Sequence, residues 1–128
     1  MLATVSVIGL DHVQLAAPPG CEHEARRFFG GLLGLAEVEK PAALRARGGV
    51  WFSVGGQQLH IGVQEPFSPA LKAHPALRVA PGELERLAER LSSSGINVIW
   101  DDSLPGEQRF HAEDPWGNRL ELLASAGS

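Results

Sequence analysis

The chain has 128 residues, enough for one compact domain with its own core and too few for two independent ones. Its 20% charged and 44% hydrophobic residues are typical of a globular protein, and a net charge of −4 without a basic cluster excludes nucleic acid as an expected partner. No apolar stretch approaches the roughly 18 residues that cross a bilayer. The single Cys21 cannot form an internal disulfide, so we expect a cytoplasmic protein without a membrane partner.

The first half of the chain, about residues 5 to 64, predicts the element order βαβββ. Apolar residues at helical spacing, including Phe28 and Phe29, predict a helix that ends at Gly34. Two glycines, Gly55 and Gly56, predict the turn of the last hairpin. The predicted elements are a strand at 5 to 16, a helix at 21 to 33, and strands at 35 to 39, 50 to 54 and 58 to 64.

The second half, about residues 74 to 124, repeats this order after a linker at 65 to 73 that contains two prolines. Its helix is predicted from an apolar stripe that includes Leu84 and Leu91, and Gly95 ends it. The predicted elements are a strand at 75 to 79, a helix at 81 to 94, and strands at 96 to 100, 108 to 112 and 119 to 124. We therefore expect an α+β domain built from two βαβββ modules.

Three histidines and one glutamate fall at matching positions of the two modules. His74 follows His12 by 62 residues, and Glu121 follows His60 by 61. Successive side chains of a strand point to opposite faces, and each of the four shares a face with few large apolar residues. The apolar residues of the opposite parity are expected to pack under the helices. The repeat thus predicts that all four side chains lie on the uncovered face and supply ligands to one shared site.

The chemistry of this set favours a divalent metal ion. A single histidine on a strand is commonly a structural residue, and the repeated spacing is the feature that favours metal binding. Imidazole and carboxylate ligands suit Zn²⁺, Ni²⁺, Co²⁺, Fe²⁺ or Mn²⁺, whereas Ca²⁺ prefers an all-oxygen shell. An ion with open positions can bind two adjacent oxygens of a small substrate and stabilise an enolate or alkoxide.

Other residues are candidates for substrate binding. Trp51 has the parity of a cavity wall, although a place in the core is equally compatible with its pattern. Arg47 lies on the approach to that strand and is a candidate partner for a substrate carboxylate, with a solvated loop as the alternative. His111 precedes the turn at 114 to 118 and either lines the cavity or faces outward. His23 lies among acidic residues in a first helical turn and is expected at the surface.

The order of these motifs resembles the vicinal oxygen chelate superfamily, which includes glyoxalases, bleomycin-resistance proteins and extradiol dioxygenases. The matching stretches are Gly9 to Val13, Phe28 to Leu35, Gln58 to Val63, His74 to Val79 and Asp114 to Glu121. The resemblance implies that the sheets of two βαβββ modules curl into a cup, and that the metal ligands are His12, His60, His74 and Glu121. Glyoxalase I has two glutamates among its four ligands, whereas this chain offers three histidines and one glutamate.

The resemblance leaves three classes of function open. The first is a metal-dependent lyase or isomerase of the glyoxalase kind, which acts on a small oxygenated molecule or its thiol adduct, with Glu121 as ligand and general base. The second is a metal-dependent extradiol dioxygenase or thiol transferase; the chain has no tyrosine, which ring-cleaving members usually carry near the metal. The third is a metal-free protein that sequesters a small molecule. Exposed strand edges favour a homodimer.

Overall fold

The protein folds into two four-stranded sheets, each with helices packed on one face. The computed structural model describes residues 3 to 126. Its strands are β1 (His12–Ala17), β2 (Ala36–Val38), β3 (Val50–Val54), β4 (Gln57–Val63), β5 (Ala76–Arg78), β6 (Ile99–Asp101), β7 (Glu107–Glu113) and β8 (Arg119–Ser125). Its helices are α1 (Glu22–Ala25), which continues as a π-helical segment (Arg26–Leu32), α2 (Ala42–Arg45) and α3 (Leu84–Ser93).

The two sheets have the same topology. The strand order is β1-β4-β3-β2 in the first sheet and β5-β8-β7-β6 in the second. In each, the first strand of the module lies parallel to the last, and the other neighbours are antiparallel. This arrangement confirms the predicted α+β fold of two βαβββ modules, and the parallel pair explains why each module needs a helical crossover between its first and second strands.

The first helix changes from α to π geometry after Ala25, and this change buries two consecutive aromatic residues. The amide of Leu33 donates to the carbonyl of Phe28 over 3.0 Å, a bond that spans five residues. Phe28 and Phe29 are both buried, and the Phe29 ring lies 5.7 Å from that of Phe52 in β3. Gly34 follows with a φ of 74°, a left-handed conformation that ends the helix as predicted.

The second module packs in the same way. The apolar stripe of α3 is buried at Leu84, Ala88 and Leu91, and Gly95 ends the region with a φ of 82°. Side chains of both modules form one continuous core cluster. Its fully buried large side chains include Phe29, Phe52, Leu59, Ile61, Phe110, Leu120 and Leu122. The helices therefore cover the apolar face of each sheet, and the polar face remains for a site. Within residues 3 to 126, no helix is long and apolar enough to span a membrane.

The N-terminal segment departs from the prediction. A strand was expected from residue 5, but β1 begins only at His12, because within residues 3 to 126 no strand pairs with residues 3 to 9. The carbonyls of Leu10 and Asp11 accept hydrogen bonds from Gln57 and Gln58 of β4. Val5, Val7 and Ile8 are 88%, 95% and 97% exposed. Alternating apolar residues indicate an extended conformation but cannot provide a partner for it. The short helix α2 replaces part of the loop expected before β3, and β6 starts three residues later than predicted.

Asn118 joins three separated parts of the chain. Its side-chain amide donates to the carbonyl of Ala16 at 2.8 Å and to the carboxylate of Asp114 at 2.7 Å. Its side-chain carbonyl accepts a hydrogen bond from the amide of Ala70 at 2.9 Å. The residue is 1% exposed, so water cannot replace these partners. Through these hydrogen bonds, the turn at 114 to 118 also connects the end of β1 to the linker.

Replacing Asn118 with alanine is expected to lower the free energy of unfolding by about 3 kcal/mol, because the buried carboxylate of Asp114 and the part-buried backbone groups of Ala16 and Ala70 each lose a hydrogen-bond partner. Asn97 is exposed and serves as the matched control, with an expected change for Asn97→Ala within about 0.5 kcal/mol. Urea unfolding followed by circular dichroism measures both. Equal stabilities of the two variants would contradict this role of Asn118.

Candidate metal centre

The strand registers place the candidate ligands of each sheet on its polar face. In the first sheet, His60 of β4 lies between Gln14 of β1 and Trp51 of β3. In the second, Glu121 of β8 lies between Ala76 of β5 and His111 of β7. Residues opposite one another on neighbouring strands point to the same face. The parity argument from the sequence is therefore correct for His60 and Glu121, and the register adds His111 to the face of Glu121.

Three side chains of the second module form a group that can bind a metal ion. His74, His111 and Glu121 each offer one ligand atom, and these atoms lie within 4.8 Å of one another. The Nε2 atom of His74 lies 3.1 Å from Glu121 Oε1, and Nε2 of His111 lies 3.3 Å from the same oxygen. Two imidazole nitrogens and one carboxylate oxygen match the donor set of Zn²⁺ or Mn²⁺ sites. The residues thus fit a divalent ion of the predicted kind.

The hydrogen bonds of His74 fix the proton on its ring. Its Nδ1 lies 2.9 Å from the backbone carbonyl of Lys72, which can only accept, so Nδ1 carries the proton. In the neutral ring, Nε2 then presents a lone pair to Glu121 Oε1, which also has only lone pairs. Two such atoms attract one another only when a cation lies between them, either a proton or a metal ion. An imidazole oriented through its second nitrogen is typical of metal sites.

Glu121 is held as an anion. It is only 5% exposed, and burial alone would raise its pKa. Hydrogen bonds from His74 and Arg109, together with the charge of Arg109 and the proximity of His111, outweigh burial and lower the pKa of Glu121 below its ordinary value. Glu121 is therefore a carboxylate, the form in which it could bind a cation, and its role as general base stays a prediction.

The first module carries a separate group of three stacked rings. The His60 ring lies between those of Trp51 and His12, with centroid distances of 3.9 Å and 4.2 Å. His60 is 4% exposed, and its Nε2 lies 2.8 Å from the side-chain oxygen of Gln58, which makes Nε2 the donor. Burial, followed by the proximity of His12, lowers the pKa of His60. His60 is therefore neutral at neutral pH. Trp51 lies beside it on the polar face of the sheet, and its role as a cavity wall stays a prediction.

Among residues 3 to 126, His12 belongs to no group of three or more potential metal ligands. Its Nδ1 lies 2.9 Å from the carboxylate of Asp11, and 44% of its side chain is exposed. Because Nδ1 donates to Asp11, the lone pair of Nε2 is free for a cation. His12 and His74, which the repeat relates, thus share the same tautomer.

The chain brings the predicted ligands together in two pairs. His74 lies against Glu121, and His12 against His60, but neither His12 nor His60 belongs to the group around Glu121. A single site formed by all four ligands stays a prediction, and ligands from a second copy of the chain would be needed to form it. Arg47 and His23 are exposed, and Arg47 lies in the turn after α2.

Arg109, whose guanidinium lies 3.3 Å from Glu121 Oε2, was not predicted as a site residue from the sequence. It has the parity of His111, and that shared parity was the signal that could have revealed it.

An open cavity of about 450 Å³ adjoins the group through His111. Apolar side chains of Leu71, Ile96 and Ile99 line part of it, and Arg119 lies at its border. The volume is in the range of small-molecule sites, and its lining combines apolar walls with a few polar groups. Of the ligand group, His111 is the residue that borders this cavity.

Comparison with known proteins gives structural matches. No family model matches the sequence, and no curated protein matches it. A solved structure of a glyoxalase family protein from Bacillus anthracis has 44% sequence identity and a TM-score of 0.90, and the alignment covers 97% of this chain and 100% of that chain. This identity over nearly the whole length of both chains indicates common descent.

Two more distant structures share the fold. A variant of the fosfomycin resistance protein FosX from Listeria monocytogenes, complexed with Mn(II) and 1S,2S-dihydroxypropylphosphonic acid, has a TM-score of 0.76 and 18% identity over 94% of this chain and 95% of that chain. Lactoylglutathione lyase from Agrobacterium tumefaciens has a TM-score of 0.70 and 19% identity over 91% and 92% of the two chains. The repeated βαβββ modules, the ligand group and the close relative together identify the chain as a member of the glyoxalase family of the vicinal oxygen chelate superfamily.

Proposed function

We propose that the protein is a divalent-metal-dependent enzyme of the glyoxalase kind, which isomerises or opens a small oxygenated molecule or its thiol adduct. The observation that carries this proposal is the convergence of Nε2 of His74 and Nε2 of His111 on Oε1 of Glu121, at 3.1 Å and 3.3 Å. Two imidazole nitrogens and one carboxylate oxygen within 4.8 Å of one another form a donor set that suits a divalent ion.

His74 and Glu121 would hold the ion, with His111 as a third ligand. Imidazole and carboxylate donors suit Mn²⁺, Zn²⁺, Ni²⁺, Co²⁺ and Fe²⁺. Manganese is bound in the FosX structure of the same fold, which makes it the first ion to test here. A bound ion of this type would supply Lewis-acid chemistry toward an oxygenated substrate. The chain itself contributes the ionised carboxylate of Glu121, which Arg109 keeps ionised, and the open cavity beside His111.

The proposal includes a homodimer in which His12 of a second copy completes the ligand set. Its support is the free Nε2 of His12, the exposure of the apolar residues Val7 and Ile8 that precede it, and the open edges of β1 and β5. Exposed apolar side chains and strand edges are commonly covered by symmetric association. In such a dimer, Trp51 and His60 of the second copy would line the cavity opposite Glu121.

Metal binding by the purified protein tests the proposed function. We expect chelator-treated protein to bind one Mn²⁺ or Zn²⁺ per chain in a calorimetric titration, and His74→Ala to weaken binding by at least about tenfold, since it removes a ligand atom. His23→Ala is the matched control, because His23 is an exposed histidine on α1. The metal affinity of this variant should equal that of the wild type.

Substrate assays with the metal-loaded protein then separate the reaction classes. Isomerisation or ring opening of dicarbonyl compounds, epoxides or their thiol adducts supports the lyase and transferase outcomes, and oxygen consumption with a catechol indicates a dioxygenase. Stoichiometric binding of an organic ligand by a protein that takes up no metal would replace the enzyme proposal with a sequestering function.

A further inference from the structure

Arg109 lies directly behind the proposed metal ligand Glu121. It belongs to β7, two residues before His111, and points to the same face of the sheet. Its Nη1 lies 3.3 Å from Oε2 and 3.4 Å from Oε1 of Glu121. Its Nη2 lies 3.1 Å from both Asp101 Oδ2 and Ser103 Oγ. Only 20% of the side chain is exposed, so the guanidinium is confined between two carboxylates and a hydroxyl.

The contacts around Glu121 differ between its two oxygens. Both histidines approach Oε1, and Nη1 of Arg109 is shared between Oε1 and Oε2, whereas among residues 3 to 126 the hydrogen-bond partner of Oε2 is Arg109 alone. If an ion occupied Oε1, Oε2 would therefore remain with the guanidinium. A carboxylate with one oxygen in a charge-assisted hydrogen bond presents the other to a cation in a fixed direction.

We propose that Arg109 is a positioning residue that holds Glu121 as a one-oxygen metal ligand, with Oε2 bound to the guanidinium and Oε1 left to the ion. This inference rests on the proposed metal-dependent function.

Asp101 and Ser103 fix Arg109 in this role. A guanidinium beside a divalent ion is repelled by it, and the carboxylate of Asp101 offsets that charge at 3.1 Å. Asp101 is ionised, since hydrogen bonds from Ser103 and the nearby charge of Arg109 lower its pKa. Without Asp101, Nη2 is free to turn toward Glu121 as well, and the guanidinium would then compete more strongly with the ion for Oε1. The pair with Asp101 therefore leaves only Nη1 in contact with Glu121.

The fork shape of arginine is needed for this arrangement. Nη1 and Nη2 of one planar group bind Glu121 and Asp101 at the same time, and the two carboxylates belong to different strands, β8 and β6. A lysine ammonium is a point charge on a flexible stem and cannot fix both partners in one plane. Arg109→Lys should therefore keep the charge of the site and lose the orientation of Glu121.

The experiment compares metal affinity and coordination in variants of the full-length protein. Each chelator-treated protein is titrated with Mn²⁺ by calorimetry, and the Co²⁺-loaded protein is examined by visible absorption, which reports coordination number and geometry. For Arg109→Gln we expect at least about tenfold weaker Mn²⁺ binding, because removal of a residue that hydrogen-bonds to a metal ligand typically lowers metal affinity by about 10- to 100-fold. We also expect an altered Co²⁺ spectrum. Arg109→Lys should restore less than half of the lost affinity on a logarithmic scale and leave the spectrum altered. Asp101→Asn should also weaken binding.

Arg78→Gln is the matched control. Arg78 is an arginine on the same sheet, but it pairs with Glu107 at 3.0 Å and 3.2 Å, away from Glu121. The Mn²⁺ affinity and the Co²⁺ spectrum of Arg78→Gln should match those of the wild type. If Arg109→Gln does not fold, as judged by circular dichroism, Asp101→Asn carries the test, because it leaves Arg109 and Glu121 in place. Wild-type affinity and an unchanged spectrum in the folded Arg109 or Asp101 variants overturn this inference, whereas a wild-type protein that binds no metal overturns the proposed function instead.

Discussion

Replacing Glu121 with glutamine is expected to weaken Mn²⁺ or Zn²⁺ binding by at least about a hundredfold. Removal of a group that only hydrogen-bonds to a metal ligand lowers metal affinity by about 10- to 100-fold, and a change to the ligand itself should lower it further. Glu121 would supply a charged ligand atom directly, and His74 and His111 approach that atom at 3.1 Å and 3.3 Å. Glutamine preserves the length of the side chain and still accepts a hydrogen bond from Arg109. The fold should therefore persist while the negative charge that attracts the cation is lost.

The measurement is calorimetric titration of chelator-treated protein, with thermal unfolding as the check on the fold. Glu113→Gln provides the matched control, because Glu113 is an exposed glutamate at the end of β7 and lies outside the ligand group. Its affinity should stay at the wild-type value. If Glu121→Gln binds metal as tightly as the wild type, the ion is held elsewhere and the group of His74, His111 and Glu121 is not the site.

The alternation of strands made part of the site predictable from the sequence. Leu59 and Ile61 flank His60, and Leu120 and Leu122 flank Glu121. These four leucine and isoleucine side chains are buried under the helices, which sends His60 and Glu121 to the opposite face. The period of a strand is two residues regardless of its partners, so this inference needed only local sequence. The glycine ends of the helices, Gly34 and Gly95, were predictable for the same local reason.

The neighbours across strands were not predictable in this way. His111 faces Glu121 because the turn at 114 to 118 sets the register of β7 on β8. The two modules have hairpin turns of different length, so the register of one does not transfer to the other. Arg109 follows from the same register and was missed with it. Its contacts with Asp101 and Glu121 bring together three strands, and a pattern along one strand contains no information about such a contact.

The N-terminal segment shows a second limit. The sequence predicts an extended conformation from residue 5, yet in the described part of the chain no strand pairs with residues 3 to 9. Hydrophobic alternation indicates that a segment is suited to burial, and it does not reveal which surface buries it. Val7 and Ile8 are almost fully exposed immediately before His12, whose Nε2 is free. Both observations have one explanation if a second copy covers the segment and receives His12.

Mixed dimers give the sharpest test of a shared site. We expect wild-type protein to be a dimer by light scattering, and we expect His12→Ala and Glu121→Gln each to lose tight metal binding when assembled alone. In a mixed dimer of the two variants, one site lacks both His12 and Glu121, and the other combines His12 of one chain with His74 and Glu121 of its partner. Random pairing of equal amounts should therefore restore about a quarter of the wild-type sites, with wild-type affinity, because half of the dimers are mixed and each has one intact site.

Purification with two different tags isolates the mixed dimers. The expected amount of bound metal in this purified sample is one ion per dimer. A site contained within one chain gives a different result, because each chain of the mixed dimer then carries one defect and neither can be complemented. A mixed dimer without metal, or a wild-type protein that is monomeric at micromolar concentration and still binds the ion, would refute the shared site. In that case His12 would be a surface residue oriented by Asp11, and His74, His111 and Glu121 would bind the ion without a second copy.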